Sequence, residues 1–167
     1  MRKGRARGPT LIARGAAVAF SVAAAVLVVD QVVNAWVLAH VTPGAHHLLG
    51  PLGVELGRNA GVAFSLFSGD SVLAGVLTGV LTVVVAVLAA RAATPRAGVA
   101  LGLVLGGAVG NDLDRVVRHG SGGVVDFLTL PHWPAFNLAD VAITVGIAGL
   151  VALVALRQPV VAPLGHR

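Results

Sequence analysis

The chain has 167 residues, of which 56% are hydrophobic and only 11% are charged. Soluble domains carry roughly a quarter of charged residues, so this chain has too few polar side chains for a surface that faces water alone. It contains no cysteine, which excludes disulfides, thiolate nucleophiles and zinc–thiolate sites. The formal net charge is +5, but the basic residues are clustered and aromatic residues are scarce, so we expect no nucleic-acid partner.

Four apolar segments predict four transmembrane helices within one integral membrane domain, residues 1–167. A helix of about 20 residues crosses a hydrocarbon core of about 30 Å. The predicted spans are approximately residues 11–29, 71–90, 97–114 and 137–156, with outer loops at about residues 40–69 and 115–136. Turn residues and short apolar pieces in the first outer loop predict a small sheet or an amphipathic segment. The predicted fold is an all-α four-helix membrane bundle with a small extracytoplasmic β or amphipathic insertion between helices 1 and 2.

The basic residues predict the orientation of these spans, because arginine and lysine accumulate on the cytoplasmic side. Nine of the twelve basic residues precede the first span, join the second to the third or follow the fourth. All seven acidic residues lie at the opposite ends of the spans or in the outer loops. We therefore expect both termini in the cytoplasm and a polar site near the outer face. A cleavable signal peptide is an alternative for the first segment, although its apolar run continues past the small residues near Ala25.

Gly102, Gly106 and Gly110 recur every four residues in the third span. Small residues at this spacing lie on one helix face and allow a neighbouring helix to approach closely. We expect a packing role for them and no chemistry.

The residue types present exclude several kinds of membrane protease. Lys3, the sole lysine, lies in the predicted cytoplasmic tail, so a Ser/Lys dyad is not available at the outer face. The sole glutamate, Glu55, is not part of a His-Glu-x-x-His zinc motif, and no Gly-x-Ser-x-Gly turn occurs. Carboxylates and amides remain as candidates, and we predict no metal and no cofactor.

Asp140 is the strongest of these candidates, because an acid at membrane depth is costly and is therefore a functional site by default. On a helix, Asn137, Asp140 and Thr144 share one face and form a polar stripe. Asn137 or Asp140 serving only as a helix N-cap is the alternative. Asp126 lies in an apolar stretch of the preceding loop, where the chain returns to the fourth helix.

The outer end of the third span carries a second polar group, in which Asn111, Asp114 and Arg115 are predicted to share one face. A simple charge cluster at the helix end is the alternative for Asp114 and Arg115. Two carboxylates held close together share a proton, so that one can activate water as a base while the other acts as an acid. Those two roles suffice for peptide hydrolysis.

These residues belong to five short sequence blocks. They are Asp30-Gln31, Asn59-Ala60-Gly61-Val62-Ala63-Phe64, Gly106-Gly107-Ala108-Val109-Gly110-Asn111-Asp112-Leu113-Asp114-Arg115, Val124-Val125-Asp126-Phe127 and Phe136-Asn137-Leu138-Ala139-Asp140. In these blocks and their order the chain resembles the lipoprotein signal peptidase (signal peptidase II) family, whose members are aspartyl peptidases of bacterial membranes. The resemblance covers about residues 20–150 and includes the length and the four-span topology.

The resemblance implies that Asp126 and Asp140 are the catalytic pair. Two departures from the family pattern stand out: Asn34 lies near the place where a lysine is usual, and Asp112 replaces an apolar residue. The first departure leaves Asp30 without its expected partner. The residues implied to bind substrate or to support the pair are Asn59, Gly61, Asn111, Asp114, Arg115, Asn137 and Asp30.

The activity implied by the resemblance is removal of signal peptides from prolipoproteins, by cleavage on the N-terminal side of a cysteine that carries diacylglycerol. The expected partners are these lipid-modified precursors and membrane lipids, and the expected state is a monomer in the bacterial cytoplasmic membrane. A small proton-coupled transporter is an alternative, in which the acids would be ion sites. The cytoplasmic halves of the spans are nearly pure Ala, Val, Leu and Gly, which argues against a through-path. A non-catalytic membrane scaffold is a further alternative.

Overall fold

A computed structural model describes residues 9–42, 44, 46–59, 71–118 and 123–163; within these ranges the side chains of residues 9, 47, 58, 59 and 71–74 are not described. Four helices and four strands follow one another in these described residues. They are α1 (Pro9–His40), β1 (His46–Leu49), β2 (Leu52–Asn59), α2 (Ser71–Ala90), α3 (Pro95–Val117), β3 (Val124–Leu130), β4 (Trp133–Phe136) and α4 (Leu138–Ala155). The predicted mostly helical architecture with a small sheet is confirmed.

Helix α1 extends well beyond the predicted end of the first apolar segment near residue 29 and ends at His40. The sequence pattern predicted a shorter segment because the apolar run stops at Asp30. In the structure Asp30 and Asn34 are buried, and Asn34 Nδ2 donates a hydrogen bond to Asp114 on α3 at 3.1 Å. Polar side chains with partners on a neighbouring helix do not need to face water, so the helix continues through them.

Helix α3 is the centre of the bundle, and α1, α2 and α4 all pack against it. The glycines that recur every four residues allow the predicted close approach of a neighbouring helix, which the structure shows to be α1. A Cβ added to Gly102 would lie 2.5 Å from Ala19 O, and one added to Gly106 would lie 2.7 Å from Ala23 O. The close approach of α1 and α3 therefore requires glycine at these positions.

The sheet takes its strands from both outer loops, which corrects the prediction of an insertion confined to the loop between helices 1 and 2. All pairs are antiparallel, in the order β1-β2-β3-β4. The central pair joins β2 of the first loop to β3 of the second, with Gly57 opposite Asp126. The sequence pattern could not reveal this pairing, because it joins segments that are separated by two helices.

The opposite end of the bundle is closed by the segment that follows α4. Ala92 and Val161 form an antiparallel bridge, and Arg91 Nη2 donates a hydrogen bond to Ala162 O at 2.6 Å. In the described residues, two helices are long and apolar enough to cross a membrane, Thr10–His40 and Leu138–Ala155, and Gly75–Ala90 is a shorter apolar helix.

Candidate active site

A cavity of about 450 Å³ lies between α2, α3 and α4 at the end of the bundle that carries the sheet. Asp126 of β3 and Asp140 of α4 both line it, so the structure brings together the two carboxylates that the sequence singled out. The wall toward the middle of the bundle is apolar. It is formed by residues that include Leu81, Val85, Val104 and Ile143.

Asn137 connects the two carboxylates. As the N-cap of α4 it accepts a hydrogen bond from Asp140 N at 2.9 Å, while its own backbone N–H donates to Asp140 Oδ2 at 3.3 Å. Its amide Nδ2 donates to Asp126 Oδ1 at 3.0 Å. Asn137 and Asp140 thus form a reciprocal capping box, and the helix-cap alternative is correct in that Asn137 is the N-cap. The cap does not replace the site, because the same contacts orient both carboxylates.

Asn111 extends this network onto α3. Its Nδ2 donates to Asp140 Oδ1 at 2.9 Å, and its Oδ1 accepts from Asn137 Nδ2 at 3.0 Å. Thr144 completes the predicted stripe on α4, where its hydroxyl donates to Asp140 O at 2.8 Å. Both Asn111 and Thr144 line the cavity.

A guanidinium group lies in the wall formed by α2 and α3. Arg115 lines the cavity and pairs with Asp112 one turn earlier, with Arg115 Nη1 at 3.4 Å from Asp112 Oδ1. Asp112 Oδ2 accepts a hydrogen bond from Thr82 of α2 at 2.6 Å. The acid that replaces an apolar residue here therefore connects α2 to α3 and holds the arginine at the cavity.

Asp114 does not share the face of Asn111 and Arg115 that was predicted for it. It is fully buried on the side of α3 that contacts α1, and it pairs with Arg118 one turn later. The charge cluster considered as an alternative for Asp114 and Arg115 is not formed as such, because Arg115 pairs with Asp112 instead, and Asp114 Oδ2 also accepts from Val125 N at 3.2 Å. Asp30 is also buried away from the cavity lining, and its Oδ1 accepts from Ala139 N at 3.1 Å.

Two predicted site residues lie partly or wholly outside the described atoms. The backbone of Asn59 ends β2 opposite Val124, but its side chain lies outside the described atoms, and Gly61 lies outside the described residues. Within the described part of the chain, no three His, Asp or Glu side chains come together in a way that would hold a metal ion.

The family model described as signal peptidase (SPase) II matches residues 22–156. The chain belongs to the signal peptidase II family. This confirms the resemblance noted from the sequence blocks, and the matched residues include all five blocks.

Relatives named lipoprotein signal peptidase agree with this membership. The chain is 37% identical over 134 residues to a lipoprotein signal peptidase of Syntrophomonas wolfei, covering 78% of this chain and 88% of that protein. It is 36% identical over 138 residues to one of Mycobacterium leprae, covering 80% and 69%. The match to one of Cupriavidus necator is 59% identical but spans 49 residues, about a quarter of that relative's length (26%).

A solved structure described as a bacterial membrane enzyme, determined by the in meso method, has the same fold. Its TM-score is 0.71 at 26% identity, and the match covers 83% of this chain and 87% of the other. The transporter and scaffold alternatives find no support in these comparisons with signal peptidase II proteins.

Sequence reasoning assigned no role to several polar residues of this signal peptidase II chain. Gln31, Asn34 and Arg118 contact Asp30 or Asp114, and Thr82 contacts Asp112. A signal existed for two of them. Asn34 is four residues after Asp30, and Arg118 is four residues after Asp114, which places each pair on one helix face. The contact of Thr82 joins two helices and has no local signal.

Proposed function

We propose that this protein removes signal peptides from bacterial prolipoproteins as an aspartyl endopeptidase, with Asp126 and Asp140 as the catalytic pair. Cleavage occurs on the N-terminal side of a cysteine that carries diacylglycerol. One observation carries the proposal: in a signal peptidase II chain, these two carboxylates line one cavity and are joined through Asn137.

The chemistry follows from two carboxylates that share one proton. The ionised member removes a proton from water, and the resulting hydroxide attacks the carbonyl carbon of the scissile peptide. The protonated member donates its proton to the carbonyl oxygen, which gives a neutral tetrahedral intermediate. When the C–N bond breaks, the leaving nitrogen takes the proton that the base acquired from water, and the intermediate's hydroxyl returns its proton to the pair. One water is consumed and the pair recovers its starting state.

The surrounding amides support this chemistry by fixing the carboxylates. Each of them accepts at least one hydrogen bond from a side-chain amide, Asp140 from Asn111 and Asp126 from Asn137. Groups that are held in place before reaction need little reorganisation in the transition state. Arg115 adds a positive charge at the same cavity, where it can bind carbonyl oxygens of the substrate backbone or of the lipid ester.

The shape of the cavity fits a lipid-modified substrate. Helices α2 and α4 both pack on α3 but hardly contact each other, so the space between them opens sideways from the bundle. Its polar end carries the two aspartates, and its apolar end is lined by side chains such as Leu81 and Val104. A peptide bond can therefore lie at the carboxylates while acyl chains extend along an apolar wall toward the bilayer.

We further propose that all four helices cross the bacterial cytoplasmic membrane, with both termini in the cytoplasm and the sheet on the outer side. Two helices are long and apolar enough by themselves, and α2 is apolar over most of its length. Helix α3 is enclosed by the other three, which accounts for its lower hydropathy. This orientation puts the cavity near the outer surface, where exported precursors are anchored.

The deciding experiment incubates the purified protein with two forms of one prolipoprotein, with and without the diacylglyceryl group on its cysteine. Both forms are presented in the same detergent, and cleavage is followed on gels with and without a chelator. We expect cleavage of the modified form alone, with no effect of the chelator. Equal cleavage of both forms would contradict the proposed substrate, and loss of activity with the chelator would contradict the aspartyl mechanism.

A further inference from the structure

Five residues form a polar cluster behind the cavity, on the facing sides of α1 and α3. We call this the α1–α3 cluster. Three of its members are almost completely buried, with exposed fractions of 1% for Asp30 and 0% for Asn34 and Asp114. None of the five lines the cavity, so none can contact a substrate there. The cluster consists of Asp30, Gln31, Asn34, Asp114 and Arg118.

The two acids of the cluster hold the backbone beside the two catalytic residues. Asp30 Oδ1 accepts a hydrogen bond from Ala139 N at 3.1 Å, and Ala139 directly precedes Asp140. Asp114 Oδ2 accepts from Val125 N at 3.2 Å, and Val125 directly precedes Asp126. Each aspartate of the proposed pair is thus preceded by a residue whose backbone N–H is held by one cluster carboxylate.

Two amides of α1 join these carboxylates to each other. Asn34 Nδ2 donates to Asp30 Oδ2 at 3.2 Å and to Asp114 Oδ2 at 3.1 Å. Gln31 Nε2 donates to Asp30 Oδ2 at 3.1 Å and to Asp114 Oδ1 at 2.8 Å. Asn34 Oδ1 is buried and accepts no hydrogen bond from the described residues. The amide nitrogen of Asn34 therefore serves both acids, while its buried oxygen stays unsatisfied and lowers the stability of the fold.

Arg118 supplies the positive charge that two neighbouring buried acids require. It pairs with Asp114 Oδ1 one turn earlier, and its Nη1 donates to Gln31 Oε1 at 3.3 Å. The guanidinium thus neutralises one acid directly and orients the amide that bridges to the other. Neither Asn34 nor Gln31 carries a charge that could do this.

We propose that Gln31, Asn34 and Arg118 are positioning residues, which couple the backbone of β3 to the start of α4 and so fix the spacing of Asp126 and Asp140. This inference rests on the proposed catalytic pair. A cluster that sets the geometry of the pair without touching substrate affects turnover more than substrate binding. Small displacements of reacting groups are enough, since a shift of about 1 Å can reduce a rate about a hundredfold.

The bridge is tested by Asn34→Leu, which keeps the number and branching of the side-chain heavy atoms and removes both donated hydrogen bonds. We expect kcat for the lipid-modified precursor to fall at least about tenfold, with KM changed less than about twofold. Asn34→Ser, a less disruptive change with one donor, should give an intermediate kcat. Hydrogen exchange of the Val125 and Ala139 amides should accelerate in both variants, while exchange within α2 stays unchanged. A normal kcat in Asn34→Leu, or a rise in KM alone, would overturn the proposal.

The role of the positive charge of Arg118 is tested by a double-mutant cycle on Arg118 and Asp114. Arg118→Gln alone should lower kcat at least about tenfold, because it leaves Asp114 buried without its cation. Arg118→Lys should recover part of this loss. Asp114→Asn combined with Arg118→Gln should also recover part of it, since the asparagine carbonyl can still accept from Val125 N while the charge is removed. Effects that simply multiply would show that Arg118 acts independently of Asp114.

Arg91→Gln is the matched control, because it removes a partly buried arginine hydrogen bond at the opposite end of the bundle. We expect it to keep wild-type kcat, and thermal unfolding in detergent is followed for every variant. An equal loss of kcat in Arg91→Gln would show that the cluster variants lose activity through a general loss of stability, and it would overturn the proposal. Asp126→Asn in the same assay separates the two levels of inference. If it remains active, the proposed catalytic pair fails; if it is inactive while Asn34→Leu turns over normally, only the positioning role fails.

Discussion

At the scale of single residues, the site depends on side chains that serve two purposes at once. Asn137 caps α4 and donates to Asp126, and Asp140 completes the capping box while one oxygen faces Asn111. From the sequence, both carboxylates were identified, and an N-cap at Asn137 or Asp140 was considered as an alternative. The side of α3 on which the Asp114 side chain lies was not predicted correctly, because its partners Gln31 and Asn34 are about eighty positions away along the chain. The spacing of residues on a helix predicts which of them share a face. The contacts of that face depend on the element that packs against it.

Replacing either carboxylate of the proposed catalytic pair by its amide should abolish cleavage. We expect Asp126→Asn and Asp140→Asn each to lower kcat by about a hundredfold or more, since general acid–base catalysis is worth about 10²–10⁴-fold. The double variant should be little worse than either single variant, because the pair acts as a unit. Turnover is measured on the lipid-modified precursor, with membrane insertion checked in parallel. Activity above about a tenth of wild type in either variant would remove the aspartyl mechanism.

Two substitutions of Asn137 should separate its capping role from its role at the carboxylates. Aspartate is as good an N-cap as asparagine, so Asn137→Asp should change the free energy of unfolding little. It cannot donate to Asp126 and adds a third carboxylate, so turnover should fall at least about tenfold. Asn137→Ala should lose activity and also about 1 kcal/mol of stability. Unfolding in detergent and turnover are measured for both, and normal turnover in Asn137→Asp would contradict the proposed network.

At the scale of helices and strands, the sequence predicted what local pattern controls. The apolar core of each helix and the glycine face of α3 were readable, because hydropathy and spacing are local properties. The continuation of α1 to His40 was not, since it depends on burial of Asp30 and Asn34 against α3. The pairing of β2 with β3 was not readable either, because the sheet partners come from different loops.

The glycine face can be tested with one substitution at two positions. Gly102→Ala puts a Cβ 2.5 Å from Ala19 O, a backbone atom that cannot move aside easily, so we expect a loss of about 1–3 kcal/mol in the free energy of unfolding. Gly79→Ala on α2 is the control, because its Cβ would meet nothing within 4 Å. It should be neutral or slightly stabilising. Chemical denaturation in detergent followed by circular dichroism compares them, and equal stability of the two variants would contradict close α1–α3 packing.

At the scale of the whole molecule, the proposed orientation rests on the distribution of charge. Arg91, Arg96 and Arg157 lie at helix ends on the side of the Ala92–Val161 bridge, and the sheet lies at the other end. The clustering of basic residues allowed this orientation to be predicted from the sequence. The closure of that end by the segment after α4 was not predicted, because isolated bridges have no sequence pattern.

Reporter fusions test the orientation. We expect reporters fused at Arg2, Arg91 and Arg167 to report the cytoplasm, and reporters inserted near Pro51 and Ser121 to report the outer side. Every position is tested with two reporters, one that is active only in the cytoplasm and one that is active only outside. A position is assigned to one side only when one reporter is active and the other is inactive. A cytoplasmic signal from either sheet-bearing loop would contradict the four-span arrangement.

The shared sheet has a consequence for the order in which the enzyme matures during synthesis. Strand β2 leaves the ribosome early, but its partner β3 follows only after α2 and α3 have been made. Pairing between segments so far apart in sequence forms late, because the intervening chain must first be ordered. The strand that carries Asp126 therefore reaches its place only after both intervening helices have been made, and Asp140 follows it. A nascent chain that ends before Asp140 lacks one member of the proposed pair, so the proposal puts the onset of proteolysis after the synthesis of α3 and β3.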